Sequence, residues 1–159
     1  RRMWRTLLDF KIADEKLSKD ISEYYLEILP KKEKVFDYTF EILSYLTDKG
    51  YQLHLLTNGF EKTQRAKLQS SKLTGYFNRI ITSEISNSMK PQKEIFDFAL
   101  RACGACLDDS IMIGDNIDAD IAGAANAGMD CIFVNHLHRK IQIDCTHEIH
   151  HLKELENIL

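Results

Sequence analysis

Three carboxylates, Asp115, Asp118 and Asp120, follow the short apolar run Ile111-Met112-Ile113-Gly114. An apolar run of that length reads as a strand buried on both faces, and in open α/β sheets ligands bind outside the carboxyl ends of such strands. The acids therefore stand where chemistry would occur. Carboxylates this close repel one another unless compensated, and a hard cation such as Mg²⁺ is the natural compensator. The competing use is capping of the helix that follows, a task expected of Asp118. Thr57-Asn58-Gly59 ends a second apolar run, and Lys90-Pro91 precedes a helical stretch. A hydroxyl, an amide and the free N–H groups at a helix start can cradle phosphoryl oxygens, and a buried lysine adds a fixed positive charge. Each piece alone is weak, since Thr57 could simply cap the helix it precedes and a Lys-Pro pair is commonplace. The ordered set, with a carboxylate-held Mg²⁺ covering the remaining negative charge, suits a phosphate.

Positioning these groups requires alternating strands and helices. Residues 1–29 carry Trp4, Leu7, Leu8, Ile12, Leu17, Ile21, Tyr24, Tyr25 and Ile28 at spacings near three and four. That pattern predicts two amphipathic helices, broken around Ala13-Asp14, which need a partner surface. Pro30 and the charged residues 31–34 predict a connector. Phe36, Phe40, Leu43 and Leu46 mark a helix ended by Gly50, and residues 51–56 read as a buried strand. A helix over 61–73, a strand over 79–82 and a helix over 92–103 follow, with Pro91 suited to that helix's first turn. Ile95, Phe96, Ala99 and Leu100 form its buried stripe. The acidic loop leads into a helix stopped by Gly128, then a strand over 131–134 that should pair in parallel with the strand before the loop. Residues 147–149 read as a short edge strand and 152–159 as a last helix. The architecture expected is a doubly wound, Rossmann-like, three-layer α/β/α fold with a parallel sheet.

The 159 residues have the length of one domain, and a net charge of −3 gives no general attraction for nucleic acid or membrane. No apolar stretch is long enough to span a bilayer, no signal peptide opens the chain, and four cysteines read as reduced thiols. A cytoplasmic protein is expected. Cys103-Gly104-Ala105-Cys106 has redox spacing but follows a helix carboxyl end, which argues for packing. His136, His138, His147, His150 and His151 flank an exposed connector and read as a solvated group, against the alternative of a transition-metal site. His54 reads as a core or strand-face residue, and Trp4, Tyr24 and Tyr25 as packing between helices.

Together these motifs resemble the haloacid dehalogenase superfamily of phosphohydrolases, in particular members with an inserted helical cap. The likeness rests on Leu55-Leu56-Thr57-Asn58-Gly59, on Lys90-Pro91 and on Ile113 to Asp120 as the second, third and fourth motifs, and it covers nearly all of residues 31–159. Residues 1–30 resemble the last part of the cap, leaving 31–159 as the Rossmann-like core. The resemblance implies that Thr57 binds phosphoryl oxygens with the amides of Asn58 and Gly59, that Lys90 neutralises charge, that Asp115 ligates Mg²⁺, and that Asp120 supports the metal's waters or Lys90. The family's first motif, Asp-x-Asp-x-Thr on a strand before the cap, has no counterpart in this sequence. Its two aspartates are the nucleophile and the general acid and base, so the chain alone is expected to be inactive and the intact protein to supply them. That strand lies mid-sheet in the family, so its absence should leave a gap. Metal-independent dehalogenases resemble Ser-Ser-Asn where this chain has Gly114-Asp115-Asn116, which points to Mg²⁺ and phosphate. The expected function is Mg²⁺-dependent hydrolysis of a small phosphorylated metabolite, a nucleotide among the candidates, through an aspartyl phosphate. The alternatives are a non-catalytic phosphate-binding or interaction module of the same fold, or another activity of the family such as dehalogenation. Lys90 is expected to matter for turnover and little for stability.

Overall fold

The computed structural model describes residues 2–140 and 144–159. Arg1, which the periodicity assigns to the first helix, lies outside the described residues. The order is α1 (Arg2–Asp9), α2 (Glu15–Ile28), α3 (Thr39–Asp48), β1 (His54–Thr57), α4 (Glu61–Ser70), β2 (Arg79–Thr82), α5 (Ser83–Ser86), α6 (Lys93–Cys103), β3 (Ile111–Gly114), α7 (Ala122–Ala127), β4 (Asp130–Val134) and β5 (His147–Ile149). All strand pairs are parallel, in a two-stranded sheet β1-β2 and a three-stranded sheet β3-β4-β5. Thr57 pairs with Thr82 and Gly114 with Phe133, so each motif-bearing strand ends level with its parallel neighbour. β4, paired on both sides, is the buried strand, with Cys131 to Val134 all inside.

Helices cover both faces. On one, Ile95 and Phe96 of α6 and Ala124 and Ala127 of α7 pack with Ile81, Cys131 and Phe133. On the other, Ile42 and Leu46 of α3 and Leu155 of a final 3-10 turn (Leu152–Asn157) pack with Ile132, Val134 and Ile149. The three-layer α/β/α arrangement read from the sequence is present. Leu56 of β1 and Met112 of β3 pack on the first of these clusters, which therefore runs across both sheets. β1 and β3 each have an unpaired edge among the described residues, and both are half-buried along their length.

Several boundaries differ from the sequence reading, for local reasons. α3 begins at Thr39 because Tyr38 is left-handed, with φ of 67°, and this leaves Phe36 outside the helix and 61% exposed. α6 begins at Lys93 with Gln92 as its cap residue, so Pro91 precedes the helix instead of filling its first turn. The acidic loop closes through a π-turn (Ile117–Ile121) before α7, and the last segment is a 3-10 turn instead of an α-helix. Asp14 caps α2 by accepting the Leu17 N–H, which accounts for the break between the first two helices. Those helices pack on each other and bury only Leu7 and Ser18. Trp4 is half-buried, Tyr24 is 64% exposed and Tyr25 is 37% exposed.

Candidate active site

The site is assembled around Lys90. Its ammonium donates to Leu56 O at 2.8 Å and to Asp120 Oδ1 at 2.6 Å. Both side chains are withdrawn from solvent, Lys90 to 10% and Asp120 to 8% exposure. Asp120 Oδ2 accepts the Asn116 N–H at 3.1 Å, so one carboxylate holds both the lysine and the loop. A buried ion pair of this kind is tenable only with such added hydrogen bonds, because both charges have lost water. Gly114 makes room for it. A Cβ there would lie 2.5 Å from Asp120 Cβ, an impossible contact, so the strand must end on glycine. Gly123 allows a separate close approach, where a Cβ would lie 2.9 Å from the Phe96 ring and 3.0 Å from Pro91 Cα.

Asn116, not Asp118, caps the turn after β3, accepting the Ala119 N–H at 2.8 Å. Asp118 lies exposed within that turn, because helical structure already begins at Ile117, one residue before it. Asp115 is exposed at the mouth of the site. At the end of β1, Thr57 Oγ1 accepts the Gly59 N–H at 3.0 Å, which spends that amide on the turn and leaves the hydroxyl proton to donate elsewhere. The Asn58 side chain accepts the Lys90 N–H at 2.7 Å and donates to Lys90 O at 2.9 Å, contacts between residues 32 apart that no local pattern reveals. Thr57, Asn58, Gly59, Asp115 and Asp120 thus lie at or after the carboxyl ends of β1 and β3, which Lys90 bridges. An open cavity of about 570 Å³ lies at the starts of α4 and α5, lined by Glu61, Lys62, Arg65, Glu84 and Ile85 and by none of these six residues.

Among the described residues, no three His, Cys, Asp or Glu side chains gather to hold an ion. The donors present are nevertheless carboxylate oxygens, and Mg²⁺ commonly takes one or two of these with waters and substrate oxygens, so Asp115 fits as a partial ligand. The histidines are engaged separately or exposed among the described residues. His138 stacks on His150 with centroids 4.7 Å apart, His136 stacks on Phe36 at 4.1 Å, and His147 is exposed. His54 is half-buried on β1, its Nδ1 has no partner, and burial, with Arg79 nearby, lowers its pKa. Cys103 packs beside the core, where burial raises its thiol pKa and makes it a poor nucleophile, and Cys106 is exposed.

The sequence matches the family model for haloacid dehalogenase-like hydrolases over residues 2–134. The chain belongs to that family. Among relatives of this chain, pyrimidine 5'-nucleotidase PynA of Streptococcus pneumoniae is 30% identical over 92% of the chain and 63% of its own length. Pyrimidine 5'-nucleotidase YjjG of Escherichia coli is 37% identical over 68% of the chain and 49% of its own length. A glyceraldehyde 3-phosphate phosphatase of Methanothermobacter thermautotrophicus is 38% identical over 63% of the chain and 44% of its own length. The chain therefore spans roughly half to under two thirds of these relatives. Its fold matches that of the putative hydrolase YfnB of Bacillus subtilis, solved with magnesium, at a TM-score of 0.90 and 29% identity, over 99% of this chain and 69% of that one. No helix among the described residues is long and apolar enough to cross a membrane.

Proposed function

We propose that residues 31–159 form most of the catalytic core, and residues 1–30 the end of a helical cap, of a Mg²⁺-dependent phosphomonoester hydrolase that works through an aspartyl phosphate. One observation carries the reading: the Lys90 ammonium is held between Leu56 O and Asp120, bridging the strand ends where Thr57 and Asp115 emerge. A cation fixed there is preorganised for the charge of a phosphoryl group, and such positioning supplies most of the catalysis in phosphoryl transfer. Thr57 offers its hydroxyl proton to a phosphoryl oxygen, and the turn presents the Asn58 main-chain N–H beside it, while the Gly59 N–H is held by Thr57 Oγ1 and shapes the turn. Asp120 holds the Lys90 ammonium in place. Asp115, with waters and phosphoryl oxygens, would hold Mg²⁺, which when bound would neutralise phosphoryl charge and polarise the phosphorus centre. The nucleophilic aspartate and its acid-base partner come from outside these 159 residues, on a strand lying between β1 and β3.

The substrate class is a small phosphorylated metabolite, and the two pyrimidine nucleotidases among the relatives support a nucleotide. A reducing, cytoplasmic setting agrees with four unpaired cysteines. The test is phosphate release from p-nitrophenyl phosphate and nucleoside monophosphates by the full-length protein, stripped with EDTA and titrated with Mg²⁺. Release that requires Mg²⁺, with none from the 159-residue chain alone, is the expected result. Metal-independent release, or turnover by the short chain, would overturn the reading.

A further inference from the structure

The geometry points to Asn58 as a positioning residue that acts through its side chain: its carboxamide fixes the main chain of Lys90 and so aims the lysine ammonium. The inference rests on the role proposed above for Lys90, and it assigns to Asn58 a task separate from the main-chain N–H contact with phosphate. The carboxamide makes a paired contact with one residue, accepting its N–H at 2.7 Å and donating to its C=O at 2.9 Å. Only one orientation of the amide group satisfies both bonds, since exchanging its O and N would set donor against donor and acceptor against acceptor. The clamp is itself anchored, because Asn58 O accepts the Ser83 hydroxyl at 3.2 Å, joining the end of β1 to the start of α5.

Lys90 is consequently held at both ends. Its main chain is tied to Asn58, and its ammonium is tied to Leu56 O and Asp120 Oδ1. A lysine side chain has several rotatable bonds, so fixing the ammonium alone leaves it free to swing with residue 90 when substrate competes for the charge. Residue 90 sits between α5 and α6, outside any helix or strand. The Asn58 pair supplies the restraint that regular structure would otherwise provide. Ser88 and Met89 immediately before it bond only locally, to Gln92 and Ser86. The one long-range hold on the main chain of 90 is therefore Asn58, among the described residues.

The test has one structural and one kinetic arm, both on the full-length protein. In the first, the Lys90 ammonium resonance is followed by NMR. Its bonds to Leu56 O and Asp120 should set it apart from the solvent-exposed lysines, and Asn58→Ala should move it toward them. Asn58→Asp keeps the acceptor for the Lys90 N–H and removes the donor to Lys90 O, so it should give an intermediate shift and serves if the alanine variant fails to fold. An unchanged resonance in either folded variant overturns the inference whether or not the protein hydrolyses phosphate, while absent hydrolysis with a shifted resonance overturns only the proposed function. In the second arm, Asn58→Ala should lower kcat by about 10²-fold with a smaller change in KM, the scale of a misplaced catalytic group. Introduced into Lys90→Met, the same substitution should cost nothing further, because its effect passes through the lysine. A full additional loss in that background would mean Asn58 acts on substrate directly, and would overturn the positioning role.

Discussion

At the residue scale, the buried pair changes what is expected of Lys90. Read from the sequence, its replacement should spare stability. In the structure, Lys90→Met strands the Asp120 carboxylate at 8% exposure with the Asn116 N–H as its remaining partner. Breaking such a pair is costly, so a stability loss of about 3 kcal/mol should accompany a fall of about 10²-fold in kcat/KM of the full-length enzyme. Lys93→Met is the control: Lys93 pairs with Asp97 on the solvent side of α6 at 54% exposure, and its loss should change stability by less than about 0.5 kcal/mol and leave turnover intact. Urea melts and steady-state kinetics of both variants check the contrast. Asp115 is the opposite case. It is exposed and its side chain has no hydrogen bond or ion pair among the described residues, so Asp115→Asn should keep the melting temperature and lose Mg²⁺-dependent turnover by orders of magnitude. A variant that lost both together would refute the metal role.

At the scale of elements, the caps decide which polar residues are structural. Asn116 accepts the Ala119 N–H, so Asn116→Ala should cost about 1 kcal/mol, while Asp118→Asn in the same turn should stay within about 0.5 kcal/mol. Equal losses in chemical denaturation would contradict the assignment of the cap. The last turn contains a pH-dependent cap. Glu154 accepts the His150 N–H at 2.9 Å and the His151 N–H at 2.7 Å, and these two backbone bonds lower its pKa. A carboxyl with a depressed folded pKa stabilises above its ordinary value of about 4.3, and loses that contribution as pH falls through the folded value. Glu154→Gln keeps an acceptor but cannot titrate. The advantage of wild type over this variant in thermal melts should therefore be present at neutral pH and fade in acid, and a gap independent of pH would show that the charge plays no part.

At the scale of the molecule, the two sheets share a continuous core while β1 and β3 keep an open edge each. Open edges of half-buried strands expose N–H and C=O groups to water and to other chains. In the 159-residue chain, alternate amides of β1 and β3 should thus exchange with solvent faster than those of β4, which is paired on both sides. Uniform protection across the three strands would rule out the opening into which a further strand is proposed to fit.

Much of this was legible in one dimension. Apolar runs ending at Thr57 and Gly114, glycines at 50 and 128, and the stripe through Ile95 and Phe96 specify strands, helices and parallel order, because backbone periodicity and turn conformation are local properties of the chain. The resemblance picked out Thr57, Lys90, Asp115 and Asp120, and the fold sets Lys90 between the strand ends that carry the other three. Local pattern did not reveal the left-handed Tyr38 that shortens α3, or the π-turn that passes the cap from Asp118 to Asn116. The burial of Lys90 and its capture by Asp120 and Asn58 depend on residues 30 and 32 positions away. Such contacts form only when separate strand ends meet, so spacing along the chain places the charges in one loop or another, and tertiary packing alone decides which are dry, which are paired and which stand open to a ligand.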